Sequence, residues 1–277
     1  MALLENVHRI AETGGGTYGV AARNLSTGET VQVRGDELFN TASVIKVLIM
    51  VELFRQADEG AVSLEERMDL SDAYRVGGSG VLNELGNGLS LTLRDLCAAM
   101  IIVSDNVATN MLISNLGLDA INEGAQALGL MNTRLNRLIG FAPVGPGENQ
   151  ELGVTTPNEM VRLYEALARG ALVSLRASSE MVRILSRQHY RGSIPRYLPD
   201  AYDAVTGESE PAIAHKTGAV NGVRCDVALL RFGDGRQWII GIFAKELEDR
   251  SWSVENTGEK TIGRIARAIY DAWIQSV

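Results

Sequence analysis

The chain has 277 residues, enough for one large domain or two smaller ones with a core that needs no disulfide or metal support. Hydrophobic residues make up 45 % and charged residues 22 %, and no apolar stretch approaches the roughly 20 residues needed to span a membrane. A net charge of −8 argues against a nucleic-acid surface, which needs clustered cations, and favours small-molecule chemistry.

Residues 2–12 carry Leu3, Leu4, Val7 and Ile10 at helical spacing and end at Gly14-Gly15-Gly16. Tyr18–Ala22 and Thr30–Val33 then read as two strands joined by a turn over Asn24–Gly28. From Thr41 to about residue 196 amphipathic runs dominate (43–58, 92–103, 107–115, 119–128, 157–169 and 178–188), and this stretch is expected to be helical. The strand pattern returns at 212–217, 225–232 and 237–243, the last two flanking the turn Gly233-Asp234-Gly235. Residues 259–275 close the chain with a helix. Two early and three late strands most economically form one antiparallel five-stranded sheet, flanked by the N- and C-terminal helices, in an α/β (α+β) fold with an inserted all-helical domain. The expected division is 1–40 plus 206–277 for the α/β unit and 41–205 for the helical unit, with the active site in the cleft between them.

Three short motifs fall on this frame. Ser43 and Lys46 open an apolar helical run at i and i+3, on one face and close enough to exchange a proton. Ser104-Asp105-Asn106 sits between two helices, and Lys216-Thr217-Gly218 lies on a returning strand. Each alone has an ordinary structural explanation: a serine near a helix start, an interhelix turn, a lysine on an edge strand. Lysine is scarce here, only Lys46, Lys216, Lys245 and Lys260 against 22 arginines, and unlike arginine it can act as a base. Cys97 and Cys225 match no metal or redox spacing, and His8, His189 and His215 are scattered, so no metal site is expected. The N-terminus lacks the charged region and long apolar core of a secretory signal, which leaves a cytoplasmic protein or a mature secreted or periplasmic form.

Taken together and in this order, S-x-x-K, S-D-N and K-T-G resemble the penicillin-recognising serine hydrolases, specifically the class A β-lactamase branch. Gly78–Leu82, Leu89–Leu96, Thr109–Leu112 and Thr155-Thr156-Pro157 are family-like in sequence and spacing, so the resemblance covers nearly the whole chain. It implies that Ser43 attacks a carbonyl, that Lys46, with a second ammonium at Lys216 nearby, accepts the serine proton, and that Ser104 relays protons to the leaving group. It further implies an oxyanion hole from the backbone N–H groups of Ser43 and Ala219. Thr217, Gly218 and Arg224 would join Lys216 at the substrate carboxylate, and Asn106 would bind the substrate's amide. No cofactor or metal is implied, and a monomer without nucleic-acid partners is expected.

One departure bears on turnover. The class A enzymes hydrolyse their acyl-enzyme with a loop glutamate, yet Thr133-Arg134-Leu135-Asn136-Arg137-Leu138 is followed by Ile139 where that glutamate is expected. Glu148 and Glu151, later in the loop, are the alternative bases. The expectation is a serine hydrolase acylated at Ser43 by β-lactams, with slow or atypical deacylation. A D-Ala-D-Ala peptidase or small-ester hydrolase using the same machinery is the alternative. A purely ligand-binding protein is disfavoured, because binding does not need both Ser43 and Lys46.

Overall fold

The structure, a computed structural model, describes residues 2–140, 151–199, 201–203 and 208–275. The first helix, α1 (Ala2–Glu12), buries Val7 and Ala11, as its apolar spacing requires. The hairpin β1 (Thr17–Asn24) and β2 (Thr30–Val33) follows, and its turn has a local cause. Asn24 Oδ1 accepts from the backbone N–H of Ser26 at 3.0 Å and of Thr27 at 3.2 Å, and Gly28 takes a φ of +79°.

Among the described residues the middle of the chain supplies six α-helices: α2 (Lys46–Asp58), α3 (Leu93–Ile102), α4 (Asn106–Leu116), α5 (Leu118–Ala127), α6 (Pro157–Ala168) and α7 (Leu175–Leu185). Every residue of α2 from Lys46 to Phe54 is buried, so this helix forms the axis on which the others pack. Side-chain caps fix several starts: Thr92 and Asp95 form a reciprocal capping box on α3, Thr156 caps α6 ahead of Pro157, and Ser174 caps α7. The stretch is not purely helical. Arg67–Asp69 pairs with Ser90–Thr92, and Gly153–Thr155 pairs with both Phe39–Asn40 and Arg134–Leu135.

Three long strands complete the sheet: β3 (Ala212–Val220), β4 (Val223–Arg231) and β5 (Gln237–Lys245). The sheet order is β3-β4-β5-β1-β2, all antiparallel, which matches the expected five-stranded arrangement. β3 and β4 meet at Asn221-Gly222, a two-residue connection in which Gly222 has a φ of +73°. The chain closes with α8 (Thr257–Ile274), capped by Asn256.

Two apolar cores lie on opposite faces of the sheet. On the outer face, Val7 of α1 and Ile262, Ile265, Ile269 and Trp273 of α8 pack against Val20, Ala228 and Ile240. On the inner face, Ala214, Val227, Leu229 and Phe243 share one continuous core with helices α2 to α7. β4 is covered on both sides, hence the burial of every residue from Val223 to Leu230. Among the described residues β3 pairs with one strand, β4, so its other edge lies toward the Ser43 turn and α7.

Candidate active site

Ser43 does not open the α-helix directly. Ala42–Ile45 form a 3₁₀ turn and α2 begins at Lys46, because Lys46 N–H bonds back to Ser43 O and Val44 O. A 3₁₀ turn nearly eclipses positions i and i+3, so Ser43 and Lys46 leave it on the same side. Ala42 enters this turn at a φ of +41°, and Ser104, across the cleft, has a φ of +55°. Non-glycine residues in the left-handed region each cost on the order of 1–3 kcal/mol, and such strain clusters where geometry matters more than stability.

The Lys46 ammonium group is fully buried and donates to Ser104 O at 2.8 Å, Ser104 Oγ at 3.1 Å and Asn106 Oδ1 at 2.9 Å. Lys216, also fully buried on β3, donates to the same Ser104 Oγ at 3.1 Å and to Thr217 O at 2.8 Å. Ser104 Oγ therefore accepts from both lysines, which leaves its own hydrogen free to be donated elsewhere. Burial and the neighbouring Lys216 push the Lys46 pKa well down, with Asp105 opposing. Burial likewise brings Lys216 down to about 7, opposed mainly by the Asp226 carboxylate. With both lysine pKa values lowered, a neutral amine is accessible beside the shared Ser104 hydroxyl, which equips the group to accept a proton and pass it on.

Asp105 holds the motif in place. Its fully buried carboxylate caps α4 through Ala108 N–H at 2.9 Å and accepts from the N–H groups of Val81 at 2.7 Å and Leu82 at 2.9 Å. Asn106 adds a bond from Nδ2 to Gly77 O at 3.0 Å, so the loop at 77–82 and the start of α4 form one unit. Gly218 has a steric role. A Cβ there would lie 2.5 Å from Thr41 O and 2.9 Å from Ser43 N, so only glycine lets β3 approach the Ser43 turn this closely.

A cleft of about 630 Å³ opens over these groups, lined by Ser43, Ser79, Asn106 and, from the edge of β3, Ala219 and Val220. Its further lining includes Arg137, Leu138 and Ile139 of one loop, Glu151, and Trp252. Asn110 clamps that loop: its side-chain amide donates to Ile139 O at 2.9 Å and accepts from Ile139 N at 2.9 Å. Ile139 thus stands on the cleft wall, and Glu151 stands there too. Glu148 lies outside the described residues.

Of the residues singled out in the sequence, Ser43, Lys46, Ser104, Asn106, Lys216, Thr217, Gly218 and Ala219 converge on this cleft or directly beneath it. Arg224 does not. Alternation along β4 turns Cys225 toward the Ser43 side, where its Sγ lies 3.0 Å from Thr41 O, and sends Arg224 to the opposite face. There the Arg224 guanidinium donates to Val220 O at 2.9 Å, Val223 O at 2.8 Å, Ser251 O at 2.6 Å and Glu259 of α8 at 3.2 Å. Asn110 and Trp252 were not singled out. Asn110 sits in a segment of family-like spacing, a signal that pointed to it, whereas nothing local marked Trp252. Among the described residues no group of His, Cys, Asp and Glu is arranged to hold a metal ion, and no helix is long and apolar enough to cross a membrane.

Known proteins resemble this chain over nearly its whole length. Residues 2–273 match the model of the beta-lactamase enzyme family. A β-lactamase of Rhodobacter capsulatus is 30 % identical over 275 residues, 97 % of this chain and 88 % of that one. The crystal structure of a β-lactamase from Sphaerobacter thermophilus superposes with a TM-score of 0.87 at 34 % identity, covering 98 % of this chain and 96 % of the other. A variant of the last common ancestor of Gram-negative class A β-lactamases, bound to a transition-state analogue, gives 0.85 at 25 % identity, with full coverage of both chains.

Proposed function

Because this chain belongs to the beta-lactamase enzyme family and is a serine β-lactamase-like hydrolase with a class A fold, we propose that Ser43 is its acyl-accepting nucleophile and that the acyl-enzyme is cleared slowly. The observation that carries the reading is the shared contact of Lys46 and Lys216 with Ser104 Oγ, both at 3.1 Å. Neutral Lys46 takes the Ser43 proton as Oγ attacks the lactam carbonyl carbon. The positive end of the Ser43 turn and α2, with the N–H groups of Ser43 and Ala219, stabilises the oxyanion. When the carbon–nitrogen bond breaks, Ser104 Oγ gives its hydrogen to the leaving nitrogen and is reprotonated from Lys46. Lys216 and Thr217 receive the substrate carboxylate, and Asn106 the acylamide. Arg224, committed to backbone carbonyls and Glu259, is left out of the carboxylate site.

Hydrolysis of the ester needs a base to activate water. Ile139 has none, and Glu151 is the described carboxylate on the same wall. We assign the two sides of the cleft to an α/β unit (1–40 plus 206–277) and a helical unit (41–205), a division supported by the separate runs of strand and helix and bridged by the apolar core of the inner sheet face. The test is intact mass spectrometry of wild type and Ser43→Ala after exposure to a penicillin, a D-Ala-D-Ala peptide and an aryl ester. A lasting adduct on wild type alone, with the penicillin, supports the reading. An adduct that also forms on Ser43→Ala, or turnover of penicillin too rapid to leave any adduct, overturns it. Adduct formation with the peptide or ester alone would favour the peptidase or esterase reading, which the missing glutamate at position 139 keeps in play.

A further inference from the structure

Trp252 is 69 % exposed, whereas Trp238 and Trp273, the other two tryptophans of the chain, are fully buried. It lines the same cleft as Ser43, together with two further exposed apolar side chains, Val220 on the β3 edge and Leu138 on the opposing loop. Large apolar groups gathered at the mouth of a cleft, rather than scattered singly, mark a binding surface.

The indole is also built in. The Arg224 guanidinium stacks on it at 4.9 Å from the ring centroid, and the guanidinium is itself fixed by Val220 O, Val223 O, Ser251 O and Glu259. One ring face is therefore occupied by a cation that has no freedom to leave, and the surface that Trp252 gives to the cleft is the remaining face and edge. Val220, whose carbonyl anchors Arg224, directly follows Ala219 on the β3 edge. At about 3.3 Å per residue along a strand, the platform begins within the length of one aryl substituent from a carbonyl held at Ala219.

We propose that Trp252 is a specificity-determining residue that receives the aromatic substituent of the acyl substrate against the free face of its indole. This rests on the acylation of Ser43 proposed above, and the experiment separates the two. Acylation rates are measured for wild type, Trp252→Ala and Trp252→Phe with benzylpenicillin and with 6-aminopenicillanic acid, which lacks the phenylacetyl group. An offset or edge-to-face aromatic pair predicts that Trp252→Ala slows acylation by benzylpenicillin about 3- to 10-fold. Acylation by 6-aminopenicillanic acid changes less than about twofold, and Trp252→Phe recovers most of the loss. Equal slowing with both compounds, or no slowing with either, overturns the proposal.

A second measurement does not depend on any adduct. In Ser43→Ala protein, acrylamide quenching of tryptophan fluorescence reports on Trp252, because the other two indoles are buried. Protection by benzylpenicillin but not by 6-aminopenicillanic acid supports the platform, and identical quenching curves overturn it. Failure of both compounds to acylate wild type would instead overturn the reading of Ser43, while the quenching result still decides the role of Trp252.

Discussion

Replacing Lys216 with methionine removes a buried positive charge while keeping most of the side-chain volume, and its effect on Lys46 follows from the geometry. Both ammonium nitrogens lie 3.1 Å from Ser104 Oγ, so they are no more than about 6 Å apart. At an effective dielectric constant of about 20, two unit charges at that distance repel by about 2.7 kcal/mol, or roughly two pH units of displacement. Lys46 works as a base only when neutral, and the Lys216 charge favours that neutral form. Removing the charge raises the Lys46 pKa, so the acidic limb of the acylation profile moves to higher pH by about two units. The coupling is strongest below about pH 7, where Lys216 keeps its proton. The assay is the second-order acylation constant with a penicillin between pH 5 and pH 9, in wild type and Lys216→Met. Loss of carboxylate binding lowers the whole curve without moving its limb, so the limb's position isolates the electrostatic effect. A limb that stays within about half a pH unit of wild type would refute the coupling.

Three further outcomes follow from the same site. Ser104→Ala removes the shared acceptor and the proton donor, so the acylation constant should fall about 10²- to 10⁴-fold with near-native thermal unfolding; wild-type acylation would exclude the relay. Gly218→Ala places a methyl group 2.5 Å from Thr41 O and 2.9 Å from Ser43 N. Forcing β3 away should cost about 1–3 kcal/mol in urea unfolding and slow acylation together, and an unaffected protein would mean that the approach is not needed. Ile139→Glu puts a carboxylate on the clamped cleft wall, and the acyl-enzyme lifetime seen by mass spectrometry should shorten about 10²-fold or more. A lifetime unchanged in Ile139→Glu but lengthened in Glu151→Gln would assign deacylation to Glu151.

Much of the fold was legible because long elements carry their own periodicity. The six helices of the middle segment and the strands β3 to β5 lie within a few residues of where apolar spacing put them. The short ladders were not legible, since they are two to three residues long and depend on partners lying from about 20 to more than 100 positions away. The 3₁₀ turn at Ser43 escaped for a related reason: its composition continues smoothly into α2, and only the hydrogen-bond pattern separates them. Within the site, the motif residues were visible as ordered triplets. Arg224 was misplaced because facing in a strand flips with every residue, and motif spacing does not specify which side of β4 it takes. Trp252 was invisible because the guanidinium that holds its ring, Arg224, comes from the β3–β4 hairpin nearly thirty residues earlier and meets it only in the folded chain.

The clamp at Asn110 bears on how such a site can change over time. Both of its bonds go to main-chain atoms of Ile139, so the course of the loop is set without reference to the side chain at that position. Residue 139 can therefore change, at the cost of the packing its partly buried side chain makes on the helical core, while its backbone keeps its place at the cleft. Substitution there alters what happens to a bound acyl group without asking the scaffold to refold. A protein that traps its substrate and one that releases it can thus be neighbours in sequence space, separated by one position whose backbone is already in place.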